Sequence, residues 1–140
     1  MSTTMKFLPA KKPPMENISL LAVSSEKDDC QSLKTILSRS RWTVLGAQSL
    51  LEASRLLKEM MPRLVLCDRN LPDGNWKDVY RESSCMTVPP AMVVISRQAD
   101  ERLWAEALSM GCFDLLLRPF EATELSHVLD MAACYFAPAA

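Results

Sequence analysis

The sequence predicts an α/β fold: a doubly wound parallel sheet with helices packed on both faces. Two observations carry this. Five short apolar runs alternate with segments whose apolar residues recur at helical spacing. Successive strand–helix pairs of this kind close most readily as parallel crossovers, which bury the sheet on both sides. At 140 residues the chain has the length of one domain with a sizeable core.

The elements follow in order. Residues 1–17 are rich in Lys, Pro and Met without periodicity, and are expected to be a flexible tail. SLLAV, from Ser19 to Val23, predicts the first strand, and Cys30, Leu33, Ile36 and Leu37 the helix after it. A second strand is expected over Trp42 to Leu45. Ser49 and Glu52 have the spacing of a capping box, opening a helix through Ala53, Leu56 and Leu57 that stops near Pro62. The third strand, Leu64 to Cys67, precedes a helix over Trp76 to Ser83. Ala91 to Ile95 (AMVVI) predicts the fourth, with Leu103, Ala107 and Met110 on one face of the next helix. Phe113 to Leu117 is the fifth, and Leu125, Val128, Leu129 and Ala132 mark the last helix. The expectation is one domain over residues 18–137, with no repeat and no output domain.

Composition removes several function classes. With 16 Lys+Arg against 17 Asp+Glu, nothing favours nucleic acid or a membrane surface. No apolar run approaches the roughly 18 residues of a membrane span. The start of the chain does not read as a signal peptide. Five scattered cysteines without a CxxC pair suggest reduced thiols in a cytoplasmic protein, acting as small core residues.

Ligands of open parallel sheets bind beyond the carboxyl ends of the strands. That rule selects Ser24, Ser25 and Glu26, then Asp68, Ser96 and Arg118. The stretch LVLCDRNLPDG, from Leu64 to Gly74, ends an apolar strand in an aspartate and follows it with a Pro-Asp-Gly turn. Alone, a strand-end aspartate is most often a turn or cap residue. Here Ser96 and Arg118 reach the same rim independently. A carboxylate so placed can attack a phosphoryl group, with Ser96 as donor and Arg118 as cation for the developing charge. The backbone carbonyl of Asn70 could face a metal.

LVLCDRNLPDG, VVIS at Val93 to Ser96, and ALSMGCFDLLLRPFEATEL from Ala107 to Leu125, in this order on five β-α units, resemble the receiver domains of bacterial two-component response regulators. The resemblance runs from Ile18 to Tyr135. It implies a flavodoxin-like (βα)5 sheet of strand order 2-1-3-4-5. It also implies that a histidine kinase or phosphotransfer protein passes a phosphoryl group to Asp68 with Mg²⁺, and that a downstream protein partner reads the result. Ser96 matches the family's Ser/Thr switch residue and Arg118 its lysine. The Arg118-Pro119 bond is expected to be cis.

The departures are specific. Ser24 and Ser25 stand where the family carries two acids, so Mg²⁺, which recruits carboxylates, is expected to bind weakly or not at all. Asp68, Asn70 and, one step beyond the acid pair, Glu26 are the candidate ligands. Asp28 and Asp29 read as helix-start acids favoured by the macrodipole. Arg118 is a permanently charged fork that could pair with Asp68 directly and slow transfer. Leu115 occupies the place of the family's mobile aromatic residue and, with Trp104, is a candidate for the interaction face. Trp104 fits either a partner surface or the core, and His127 is assigned nothing. An aspartyl-phosphate phosphatase would want an acid where Asn70 stands. A flavin protein would want glycine in the SSEKDD loop. The expected function is therefore a non-enzymatic, stand-alone atypical receiver acting through protein contacts, with a phosphorylation-independent pseudo-receiver as the alternative. The oligomeric state is left open.

Overall fold

The computed structural model describes residues 18–98 and 100–135; the expected tail, and residues 136 and 137 of the expected domain, lie outside them. The strands are β1 (Ile18–Val23), β2 (Trp42–Ala47), β3 (Leu64–Asp68), β4 (Ala91–Ser96) and β5 (Asp114–Leu117). The helices are α1 (Lys27–Ile36), α2 (Leu50–Met60), α3 (Trp76–Ser84), α4 (Glu101–Met110) and α5 (Ala122–Tyr135). All five strands pair in parallel in the order β2-β1-β3-β4-β5, as the resemblance implies.

Strand side chains alternate between the two faces, and here both faces are apolar. Leu20, Ala22, Leu64, Leu66, Val93 and Ile95 form one core with Leu33 of α1 and Leu125 and Leu129 of α5. Leu21, Val23, Val65, Met92 and Val94 form the other with Ala53 and Leu57 of α2, Val79 of α3, and Leu103 and Ala107 of α4. Each fully buried leucine contributes about 1.5–3 kcal/mol relative to exposure. This two-sided burial fixes the sheet and brings the carboxyl ends of β1, β3, β4 and β5 to one edge.

Local signals set the helix ends. The Ser49 hydroxyl accepts from the Glu52 amide at 3.1 Å, but the Glu52 carboxylate accepts from Gln48 N–H at 2.7 Å. The expected capping box is therefore displaced by one residue on its return bond, because Glu52 reaches past Ser49. A complete reciprocal box occurs instead at α3, between Asn75 and Asp78. Asp100 caps α4, which ends at Gly111 in the left-handed region, φ 115°. The expectation that the cysteines are core residues holds for Cys67 and Cys112 only. Cys30 is half-buried, and Cys85 and Cys134 are exposed because they fall on the solvent side of α3's end and of α5; all five thiols are free. Among the described residues, no helix is long and apolar enough to cross a membrane.

Candidate functional site

Register alone brings the rim residues together. Val23 pairs with Cys67, Asp68 with Ile95, and Ser96 with Leu117, so Ser24, Asp68, Ser96 and Arg118 leave the sheet at one edge. The ladder continues one step further, with the Arg118 amide donating to the Ser96 carbonyl at 2.9 Å. Arg118-Pro119 is cis. Ser25, Glu26, Asp68, Asn70, Ser96 and Arg118 line one open cleft, and Arg69, Arg97 and Gln98 complete it.

The Pro-Asp-Gly turn now has a physical role. Residues 70–75 fold back as a short antiparallel ladder, Asn70–Leu71 against Gly74–Asn75. At its tip the Asp73 carboxylate accepts from the amides of Leu50 (2.7 Å) and Leu51 (3.0 Å), the first turn of α2. These bonds hold its pKa below the usual carboxylate value. The loop that starts at Asp68 is thus tied to a helix on the same rim.

Arg118 is buried, its side chain only 10% exposed. Its Nε donates to Asp29 Oδ1 at 3.0 Å and Oδ2 at 2.9 Å, and its Nη2 to Asp29 Oδ2 at 2.5 Å. The same Nη2 lies 2.9 Å from Asp68 Oδ2. Burial opposes the guanidinium charge, but the hydrogen bonds to Asp29 and the charges of Asp68 and Asp29 outweigh it and raise its pKa. Ser24, also buried, closes the cluster. Its hydroxyl donates to Asp29 Oδ2 at 2.6 Å, so the 3.4 Å approach to Asp68 Oδ2 is secondary, since one hydroxyl carries one proton. It accepts from the Glu26 amide at 3.1 Å.

Asp28 and Asp29 both lie in the first turn of α1, as expected. Asp29 does more than the sequence reading assigned it: it is 7% exposed and paired across the site with Arg118, while Asp28 is exposed. Within the first turn of α1 the helix rotates Asp29 inward, and Arg118 compensates its charge. Glu26, the tentative metal ligand, is bonded instead to Arg97 from the β4–α4 loop. The Ser96 hydroxyl lies within its own loop, donating to the Gln98 carbonyl at 3.0 Å. Leu115 is half-buried and packs against the core formed with α2, α3 and α4. Trp104, by contrast, is 48% exposed, so its core reading fails.

Sequence reasoning also missed Arg69 and Arg97. The signal was present: DRN, SRQ and LRP each put an arginine directly after a strand. Each is held by an acid of a neighbouring segment, Arg69 by Asp100 at 3.1 Å, Arg97 by Glu26, and Arg118 by Asp29.

Mg²⁺ wants carboxylate oxygens, generally one or two, with waters. At this rim the Asp68 carboxylate is bonded to one guanidinium and Glu26 to another. Among the described residues, no group of three or more His, Cys, Asp or Glu side chains is arranged to hold a metal ion. Both carboxylates that line the cleft are thus engaged by the chain's own cations.

Known proteins match along most of the chain. The family model for the response regulator receiver domain matches residues 20–130. The transcriptional regulatory protein CitB of Klebsiella pneumoniae is 30% identical over 123 residues, covering 86% of this chain and 53% of that protein. The chain therefore spans about half the length of that relative. The chemotaxis protein CheY of Thermotoga maritima is 26% identical over 99 residues, 70% of this chain and 82% of that one. The crystal structure of a response regulator receiver domain protein from Clostridium thermocellum superposes with a TM-score of 0.77 at 25% identity, covering 84% and 95% of the two chains. Receiver domains typically bind Mg²⁺ at an acid pocket and interact with histidine kinases or phosphotransfer proteins. With the sheet order, the rim and the matched span in agreement, this chain belongs to the response regulator receiver domain family.

Proposed function

We propose that this chain is an atypical receiver of a two-component system: a cytoplasmic signalling module, not an enzyme, that passes its state on through protein contacts. Asp68 is its phosphoryl acceptor, fed by a histidine kinase or phosphotransfer protein, and it accepts slowly and with little help from Mg²⁺. Ser96 is the switch hydroxyl, and Arg118 takes the place of the family's lysine. One observation carries this reading: Arg118 Nη2 stands 2.9 Å from Asp68 Oδ2, so the acceptor is present at the strand end but engaged. The guanidinium stabilises the carboxylate before attack and so makes it a poorer nucleophile, which adds to the barrier.

The outgoing contacts use the face carrying Trp104 and Leu108, one turn apart on α4 and both part-exposed, and Leu117 of β5. A second reading, a phosphorylation-independent interaction module, is favoured by the same cluster, because both carboxylates at its centre already contact Arg118 without a ligand.

Incubation with a small phosphoryl donor, with and without Mg²⁺, followed by intact mass, separates the two. The acceptor reading predicts slow addition of one phosphoryl group, similar in both conditions and absent from Asp68→Asn. No addition in any condition rejects the acceptor role and leaves the interaction module.

A further inference from the structure

One nitrogen of Arg118 sits where the oxygens of this pocket meet. Its Nη2 is 2.5 Å from Asp29 Oδ2, 2.9 Å from Asp68 Oδ2 and 3.5 Å from Ser24 Oγ. The oxygens come from α1, from the end of β3 and from the residue just past β1, segments brought together only by the fold. An ion at this point would be offered two carboxylates and a hydroxyl. The point is already filled by the chain's own cation.

We infer that the guanidinium of Arg118, seated by Asp29, is the resident cation of this pocket and excludes a divalent metal from it. Asp29 grips the Nε edge of the fork with both oxygens. Nη2 carries two N–H bonds, so it can bond Asp29 Oδ2 with one and face Asp68 Oδ2 with the other. A lysine has a single charged nitrogen and cannot hold one carboxylate by a fork while reaching a second. Glu26, the next carboxylate of the cleft, is bonded to Arg97 from the facing loop. An entering dication would have to displace a buried, charge-assisted pair, and would recover only contacts that Arg118 already makes. Asp29 is thus a positioning residue, acting on Asp68 through Arg118.

The inference rests on the reading of this pocket as the receiver's acceptor site, but concerns only what neutralises it. Its test therefore uses no phosphoryl donor. Metal-stripped protein is titrated with Mn²⁺ by electron paramagnetic resonance, and with Mg²⁺ by thermal shift. Wild type is expected to show no saturable site in the millimolar range. Arg118→Gln removes the resident charge and should tighten Mn²⁺ binding by roughly tenfold or more; adding Asp29→Asn to it should abolish that gain. Arg118→Lys, which gives up the fork but keeps a charge, should gain less and serves as the readout where circular dichroism shows that Arg118→Gln has lost the fold. Wild type binding as tightly as the variants, or no gain in either variant, overturns the inference. Phosphoryl labelling of Asp68 judges the acceptor reading separately, whichever way the titration falls.

Discussion

Asp29 and Arg118, 89 positions apart in sequence, form a buried two-pronged ion pair beneath the carboxyl end of the sheet. Both side chains are about one-tenth exposed, so neither charge is hydrated well enough to stand alone. Removing Asp29 leaves Arg118 with only its Asp68 contact and takes from the Ser24 hydroxyl its acceptor. Asp29→Ala is expected to cost about 3 kcal/mol in urea unfolding. The triple variant Asp29→Leu, Arg118→Met, Asp68→Asn should recover most of that loss, because no charge is then left unpaired in the pocket.

The loop carrying Asp68 is tied down by acids whose pKa values are depressed. Asp73 is lowered by its bonds to Leu50 and Leu51, and Asp100 by its bonds to Leu103 and Arg102 and by the charge of Arg69. A folded-state pKa below the unfolded value near 3.8 means that the unfolded chain takes up protons first. Their contribution is therefore complete above that value and disappears as pH falls below it. Stability measured from neutral pH down through about pH 4 and below should fall less steeply in Asp73→Asn, Asp100→Asn than in wild type.

Gly111 ends α4 with φ 115°, and a Cβ there would run into the Tyr80 hydroxyl. Gly111→Ala should destabilise by about 1–3 kcal/mol, through strain and the clash together. Adding Tyr80→Phe should return only the part due to the clash. Thermal unfolding of these two variants and of Tyr80→Phe alone separates the two contributions.

Thiol chemistry should divide the cysteines. Burial, aided by the Asp68 charge, raises the Cys67 thiol far above its ordinary value, and burial pushes Cys112 up to about 12. Only thiolates react appreciably. Near neutral pH, Cys85 and Cys134 should be alkylated fast, Cys30 more slowly, and Cys67 and Cys112 only after unfolding, as mass spectrometry of timed samples would show.

Much of this was legible in the chain. The apolar runs located all five strands, with end errors of one or two residues: β2 extends two past Leu45, to Ala47, and β5 starts at Asp114 instead of Phe113. Asp68, Ser96 and Arg118 could be placed on one rim because parallel strands fix which ends coincide. Asp29 could not. Its neighbour Asp28 has the same charge and helical position type, and only the rotation of α1 against the sheet decides which of the two points inward. The Glu26–Arg97 pairing likewise joins two loops whose approach no local pattern encodes. Trp104, which spacing left between surface and core, was open for a related reason: spacing assigns a face, and packing decides whether that face is covered.

The most direct test of the account is the state of the Arg118 side chain in solution. Arginine-labelled protein examined by NMR should show an Arg118 Nε–H that exchanges slowly, as expected of a proton shared with the buried Asp29 carboxylate. That signal should be unchanged by millimolar Mg²⁺, and fast exchange should appear on Asp29→Asn. An Arg118 Nε–H that exchanges as fast as those of exposed arginines, or that is released when Mg²⁺ is added, would contradict the account.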